Sequence, residues 1–302
     1  MPAYEVIDIP SHQPALVGRV RRTEPARGNG ALPVLFVHGS SFPSALSFDF
    51  RMDGQSWMDW MAARGYDVYA LDFPGYGLSD RYPVTTATAA PPGRARMVAQ
   101  DVGHAVDAIL RRTGQKQVML VAHSWGGSVA ARYAQEHGAK IAKLVLFAAI
   151  TPRTPSTPPA PAAHGDSAAL EEMAPAQRIA AMDSLRPPQE PRRLHADVYA
   201  RWGAHWLASD GRKEGKVRFP AGPSADLADL QQGRGYYDPT RLTMPVLLVR
   251  GEWDAWPSDA DYRALQRQIP GARYTVIPRG THVMHLEAAR TQLYEAVHAF
   301  LQ

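Results

Sequence analysis

The sequence contains no cysteine, which excludes disulfide frameworks, thiolate metal sites and cysteine nucleophiles. Long apolar runs are also missing. LPVLFV and KLVLFAAI are its longest, far short of the roughly 18–20 residues a bilayer span needs. The opening MPAYEVIDIP has neither a basic start nor an apolar stretch, so no secretory signal is read there and the cytoplasm is the expected compartment. Excess charge is lacking too: 33 Lys and Arg against 29 Asp and Glu give +4. Basic clusters such as Arg19, Arg21, Arg22 and Arg192, Arg193 are flanked by acidic or apolar residues, so no nucleic-acid partner is expected. What the chain does have is turn chemistry. Glycine and proline contribute 24 and 26 of 302 residues without a G-X-Y period, which excludes collagen. With 45% apolar and 21% charged residues, the composition is that of a folded protein, either one large domain with an insertion or two small ones.

Short apolar segments alternate with amphipathic ones. YEVIDIP and ALVGRVRR predict two opening strands joined by a turn at Ser11–Pro14. LPVLFVHG (Leu32–Gly39) is the continuous apolar run of a strand buried on both faces. Further strands are predicted at Tyr66–Gly75, Lys116–Ser124 and Ala142–Ile150. Helices are predicted at Gln55–Arg64, Arg94–Thr113 and after Ser124, the last ending at Gly138 as its C-terminal stop. The pattern then breaks. Thr151–Pro161 holds five prolines in eleven residues, which neither a helix nor a central strand tolerates. Residues 151–240 carry 11 basic and 11 acidic residues in an irregular, helix-leaning stretch. Regularity returns with a strand at Met244–Asp254, a helix at Asp259–Gln268, a strand at Arg273–Gly280 and a helix at Glu287–Leu301.

Strand–helix alternation predicts an α/β fold, a parallel sheet with helices on both faces. The predicted core is 1–150 plus 241–302, and 151–240 is predicted to be a cap inserted after the sixth strand. A linker or an independent second domain is the alternative. A cap would cover the C-terminal edge of the sheet, where open α/β sheets place ligands.

The strongest motif is VAHSWGG (Val121–Gly127). A strand runs directly into Ser124 and then into a helix, with small residues at Ala122 and Gly126. Such a turn tolerates no bulk two residues either side of the serine and holds its hydroxyl out at the sheet edge. A serine that merely caps the helix is the alternative. A serine hydroxyl needs a base to become nucleophilic, and the chain order after this turn predicts an acid and then a histidine. RGEWDAW and PRGTHVMHLE follow the last two strands and offer Asp254 and His282. The acid would orient the imidazole, and the imidazole would shuttle the proton. Rivals are Glu252 or Asp259 for the acid and His285 for the base. His282, His285 and Glu287 also have a metal-like spacing, but no third strong ligand group is near in sequence, so no metal is expected. FVHGSSF ends a central strand; the backbone amides of Ser40 (or Ser41) and Trp125 are the candidate oxyanion donors. His38 is read as ordering this loop, His123 as a neighbour packed beside the turn, and DFPGYGLSD (Asp72–Asp80) as structural.

HGSS, DFPGYGLSD, AHSWGG, GEWD and GTHVMHLE stand in the order and on the elements of the α/β-hydrolase superfamily, which the chain resembles over roughly residues 15–150 and 240–302. The resemblance implies an eight-stranded, mostly parallel sheet and a Ser124–Asp254–His282 triad. Departures from the family's subgroups narrow the chemistry. Epoxide hydrolases and haloalkane dehalogenases carry Asp at the position of Ser124. The Gly-rich oxyanion loop of carbon–carbon bond hydrolases and the HGGG of hormone-sensitive-type lipases are absent. The expected activity is hydrolysis of a small carboxylic ester, lactone or thioester, with no cofactor. Acyl transfer, amide cleavage as in proline iminopeptidases, and cofactor-free perhydrolysis use the same triad, and a non-catalytic ligand-binding role is the alternative of another class. Tyr199, Trp202 and Trp206 recur on one helical face, Tyr236 and Tyr237 follow, and Trp253 and Trp256 flank the acid. With Ser41 and Phe42, Trp202, Trp206, Trp253 and Trp256 are the candidate pocket for a fairly hydrophobic substrate; cap-to-sheet contact is the alternative.

Overall fold

A computed structural model describes residues 4–25, 27–28, 30–83, 90–152, 169–211 and 214–302. The chain opens with β1 (Glu5–Pro10) and β2 (Val17–Thr23). Next come β3 (Val34–Val37), the short helices α1 (Ser44–Ser47) and α2 (Trp57–Ala62), and β4 (Val68–Asp72). They are followed by α3 (Ala95–Thr113), β5 (Val118–His123), α4 (Ser124–His137) and β6 (Ile141–Phe147). The inserted stretch contains β7 (Leu170–Met173), α5 (Pro175–Asp183), α6 (Gly203–Asp210), β8 (Val217–Pro220) and α7 (Gly222–Gln231). β9 (Val246–Gly251), α8 (Asp259–Gln268), β10 (Arg273–Ile277) and α9 (Thr291–Leu301) complete the fold.

Eight strands form one sheet in the order β1-β2-β4-β3-β5-β6-β9-β10. The β1–β2 and β2–β4 pairings are antiparallel and the other five are parallel. This is the eight-stranded, mostly parallel architecture that the resemblance implies. Alternate residues of the central strands serve opposite faces. Leu35, Val37, Leu120 and Ala122 join Val98, Val102 and Val129 of α3 and α4 in one buried cluster. Val34, Phe36, Met119 and Val121 join Trp57 and Met61 of α2 and Leu293 and Val297 of α9 in another. Both faces are covered, which is why these strands read as unbroken apolar runs. Because β3 and β5 are neighbours in mid-sheet, the loops leaving their C-terminal ends meet.

Several boundaries differ from the sequence pattern. Gly138 does not stop α4 with a left-handed turn; it takes φ −52° and continues into a 3-10 turn, Gly138–Lys140, that leads into β6. The closing helix begins at Thr291, not Glu287, because Met284–Leu286 form a 3-10 turn and the Glu287 carboxylate is bonded back to Thr281. The helix predicted from Gln55 begins at Trp57, since Ser56 caps it reciprocally with Asp59. The inserted stretch also holds a two-stranded antiparallel sheet, β7–β8, that its composition did not signal. The proline-rich run lies outside the described residues from position 153 onward. No described helix is long and apolar enough to cross a membrane.

The insertion is tied to the core at the N-terminus of α3. Asp226 of α7, 1% exposed, accepts hydrogen bonds from the Arg94 Nε at 2.6 Å, the Ala95 amide at 2.6 Å and the Trp125 indole Nε1 at 2.9 Å. On the other side, Trp202 Nε1 donates to the Leu46 carbonyl at 3.1 Å. Replacing Asp226 with Ala leaves the buried indole N–H without an acceptor, and a buried unsatisfied donor costs about 1–3 kcal/mol. The expected outcome of Asp226→Ala is a lower urea midpoint with the slope retained; an unchanged midpoint would show that the joint carries no stability.

Candidate active site

β5 passes into α4 at Ser124 with no intervening loop. Ser124 takes φ +54°, a left-handed value uncommon for a non-glycine residue. Sterics explain its neighbours. A Cβ on Gly126 would lie 2.0 Å from the His38 carbonyl oxygen, and one on Gly127 would lie 2.4 Å from the Ala149 Cβ. A Cβ on Gly39 would meet the Ser124 Cβ and the His123 Nδ1 at 3.0 Å. The HGSS and HSWGG motifs are therefore two sides of one close contact between the ends of β3 and β5.

The Ser124 Oγ lies 2.8 Å from His282 Nε2. His282 Nδ1 lies 3.0 Å from Asp254 Oδ2 and 3.2 Å from Oδ1. Asp254 is buried at the end of the β9 loop. Its Oδ1 accepts the Trp256 amide at 3.3 Å, and Arg250 Nη2 donates to its backbone carbonyl at 2.6 Å. The hydrogen-bond pattern assigns the proton to Nδ1, facing the carboxylate, and leaves Nε2 as acceptor for the serine hydroxyl. The rival acids are bonded elsewhere. Glu252 Oε2 accepts the Arg279 amide at 2.7 Å, and Asp259 accepts from Arg263 Nε at 2.7 Å and from the Tyr274 hydroxyl at 2.9 Å.

Two residues with no proposed part in the proton path brace the His282 loop. Glu287 accepts from the Thr281 amide at 3.1 Å and from its hydroxyl at 2.6 Å. His123 Nε2 donates to the His282 carbonyl at 3.0 Å. Its ring stacks on Phe147 with centroids 4.7 Å apart. His38 Nδ1 donates to the Gly39 carbonyl at 2.7 Å, and its Nε2 accepts the Phe73 amide at 3.2 Å, so this imidazole orders the loop after β3. Asp72 of the DFPGYGLSD turn accepts from the amides of Ser44 at 2.8 Å and Leu78 at 3.0 Å. Ser41 takes φ +75°, and the Phe42 amide folds back onto the Ser40 carbonyl at 3.0 Å. Among the described residues the backbone amides of Ser40 and Trp125 have no acceptor.

The aromatic residues divide. Trp202 and Trp206 have no accessible surface and pack against each other at a tilt with centroids 5.4 Å apart, and Phe42 meets Trp202 edge-on at 5.2 Å. They are core residues joining the insertion to the sheet rather than an open wall. Trp253 sits between the guanidinium groups of Arg193 and Arg279, at 5.8 and 5.6 Å, and Trp256 packs partly buried against the core. The spacing of His282, His285 and Glu287 builds no ligand set: both His285 nitrogens are buried without a partner, and Glu287 is bonded to Thr281. Elsewhere Asp53, His195 and Asp197 bring ligand atoms within 4.8 Å of one another, but Arg290 donates to Asp53 at 3.0 Å and Arg201 to Asp197 at 3.1 Å. The cluster is an ion-pair network.

His38, His123 and His285 are all buried, and desolvation pulls each imidazole below its ordinary pKa; His285 is pushed down to about 3. An unfolded chain protonates these rings near 6.5. For His285, between about 6.5 and about 3, the unfolded state therefore binds more protons and stability falls as pH falls, by about 1.4 kcal/mol per pH unit, and His38 and His123 act in the same direction. His285→Leu removes one titrating ring. The melting temperature of that variant is expected to fall less steeply than the parent's between pH 6 and pH 4; identical slopes would overturn this account.

A family model described as "Alpha/beta hydrolase family" matches residues 34–296. A non-heme haloperoxidase of Rhodococcus erythropolis is 35% identical over 130 residues, 40% of this chain and 38% of that one. Epoxide hydrolase B of Mycobacterium tuberculosis is 33% identical over 97 residues, 30% of this chain and 25% of that one. The match thus spans well under half the length of either relative. Among solved structures, a thioesterase domain from the curacin biosynthetic pathway superposes with a TM-score of 0.67 at 16% identity, covering 98% of this chain and 99% of that one. By its family match and its sheet, the chain belongs to the alpha/beta hydrolase family.

Proposed function

We propose that this chain is a serine hydrolase that cleaves carboxylic esters of small molecules, lactones and thioesters included, through an acyl-enzyme. The carrying observation is the line from the Ser124 Oγ through the His282 imidazole to the buried Asp254 carboxylate. In this reading the Ser124 oxygen attacks the carbonyl carbon while its proton passes to His282 Nε2. Asp254 holds the imidazole in the tautomer that accepts and steadies the imidazolium. The Ser40 and Trp125 amides receive the developing oxyanion; one such donor is worth about 2.7–4 kcal/mol in the transition state. As the carbon–oxygen bond to the leaving alcohol breaks, His282 returns the proton to that oxygen. Water then attacks the acyl-enzyme by the same route and releases the acid. The segment 151–240 serves as the cap, a role supported by the bonds of Asp226 and Trp202 to the core.

Ser124 separates this chemistry from any that needs a carboxylate nucleophile. The likeness to a non-heme haloperoxidase supports one second reading, in which hydrogen peroxide replaces water as the acceptor of the acyl group. Peracid formation from a carboxylic ester in the presence of peroxide would mark it.

A fluorophosphonate is expected to add once to the parent protein by intact mass and not at all to Ser124→Ala. Ester turnover in Ser124→Ala and in His282→Ala should fall by about 10⁴ or more, whereas His285→Ala should remain measurable. Unchanged turnover in Ser124→Ala, or inactivation by His285→Ala with His282→Ala active, would overturn the assignment.

A further inference from the structure

The inserted segment holds one charge that the proposed chemistry does not use. Arg178 stands on α5, and its guanidinium Nε is sealed from solvent with no hydrogen-bond partner. Other arginines of the insertion are matched: Arg186, Arg193, Arg201, Arg218 and Arg234 each lie within 4.0 Å of a carboxylate. Arg178 forms no ion pair with any described residue. It is set over the ring of Phe42, the residue after Ser41, at 5.3 Å. The phenol of Tyr76 is the neighbour acting on it, and its own charge is felt at His123, the residue before Ser124.

A guanidinium on a half-buried side chain whose Nε is sealed without a partner is costly, and chains normally match or remove it. Burial lowers its pKa to about 10, so it stays charged at neutral pH. The histidines of the neighbourhood, His38, His123 and His285, are held neutral by burial. Among the described residues no carboxylate meets the Arg178 charge, and its guanidinium stands 5.3 Å from the ring of Phe42, two residues after Ser40.

We propose that Arg178 receives a carboxylate of the substrate, so that the ester presented to Ser124 is a monoanion carrying a second, free carboxyl group. The planar fork of a guanidinium matches a carboxylate through two parallel hydrogen bonds, and one guanidinium balances one negative charge. A phosphate dianion would require a second cation. This inference rests on the serine-hydrolase reading and narrows its substrate class from fairly hydrophobic esters to those with an anionic end.

Binding tests it apart from turnover. In a Ser124→Ala background, calorimetric titration compares the monomethyl esters of succinate, glutarate and adipate with their dimethyl esters at pH 7.5. At least one monoanion is expected to bind ten-fold or more tightly than its neutral diester. Arg178→Met should erase that preference, and Arg178→Lys should keep part of it. Because Arg178→Met removes an unpaired buried charge, it should also melt at least as high as its parent. No preference at any of the three lengths, or a preference that survives Arg178→Met, overturns the proposal. So does a lower melting temperature with the preference intact, since Arg178 would then be structural. If the preference holds but the Ser124-intact protein turns over no ester, the hydrolase reading fails while the carboxylate site stands; turnover of neutral esters without any anion preference sinks the carboxylate site alone.

Discussion

Gly126 has no side chain, and the space a Cβ would fill lies 2.0 Å from the His38 carbonyl oxygen. On this contact between the ends of two adjacent parallel strands the rest of the site depends. It seats the helix that follows Ser124 against the loop that follows β3, which brings the Trp125 and Ser40 amides to the same edge. It also leaves Ser124 in its left-handed conformation, raised at the mouth of the sheet. Any bulkier residue at Gly126 would push the strand ends apart, because backbone rather than a flexible side chain stands opposite.

Around that contact the electrostatics are unevenly distributed. Asp254 is buried but bonded on several sides, so its charge is directed at one imidazole. The other histidines nearby are sealed among aromatic rings: His123 meets Phe147, and His285 lies 5.4 Å from Phe147 and 4.4 Å from His123. Desolvation keeps them neutral, so they shape the site without competing for the proton. The insertion adds a counterpart on the other side. Asp226 locks the Trp125 indole, and Arg178, with no ion pair among the described residues, stands over the Phe42 ring. The same segment thus braces the residue after Ser124.

Much of the fold was legible in the sequence because burial on both faces leaves a period-free apolar signature, as in LPVLFVHG, and helices between such runs force a parallel sheet. The residues that line up as Ser124, His282 and Asp254 were legible because a strand–serine–helix turn demands small residues at fixed offsets, and because an acid and a histidine follow the last two strands in order. Boundaries were less legible. Gly138 looked like a helix stop but continues into a 3-10 turn, and Glu287 looked like the start of a helix but is held by Thr281. The Glu287 outcome turns on a side-chain bond to Thr281 that the helical pattern does not carry.

By itself, then, the sequence determined the alternation of strands and helices, the serine turn and the order of its partners, since these rest on local sterics and on which faces are apolar. Tertiary structure alone decided the rest. It separated Asp254 from Glu252 and Asp259, and His282 from His285, by where each side chain finds its partner. It turned Trp202 and Trp206 into core residues, gave Asp226 its hold on Trp125, and left Arg178 with no ion pair among the described residues. These are contacts between residues mostly tens to hundreds of positions apart, and no spacing along the chain encodes which charges meet once it folds.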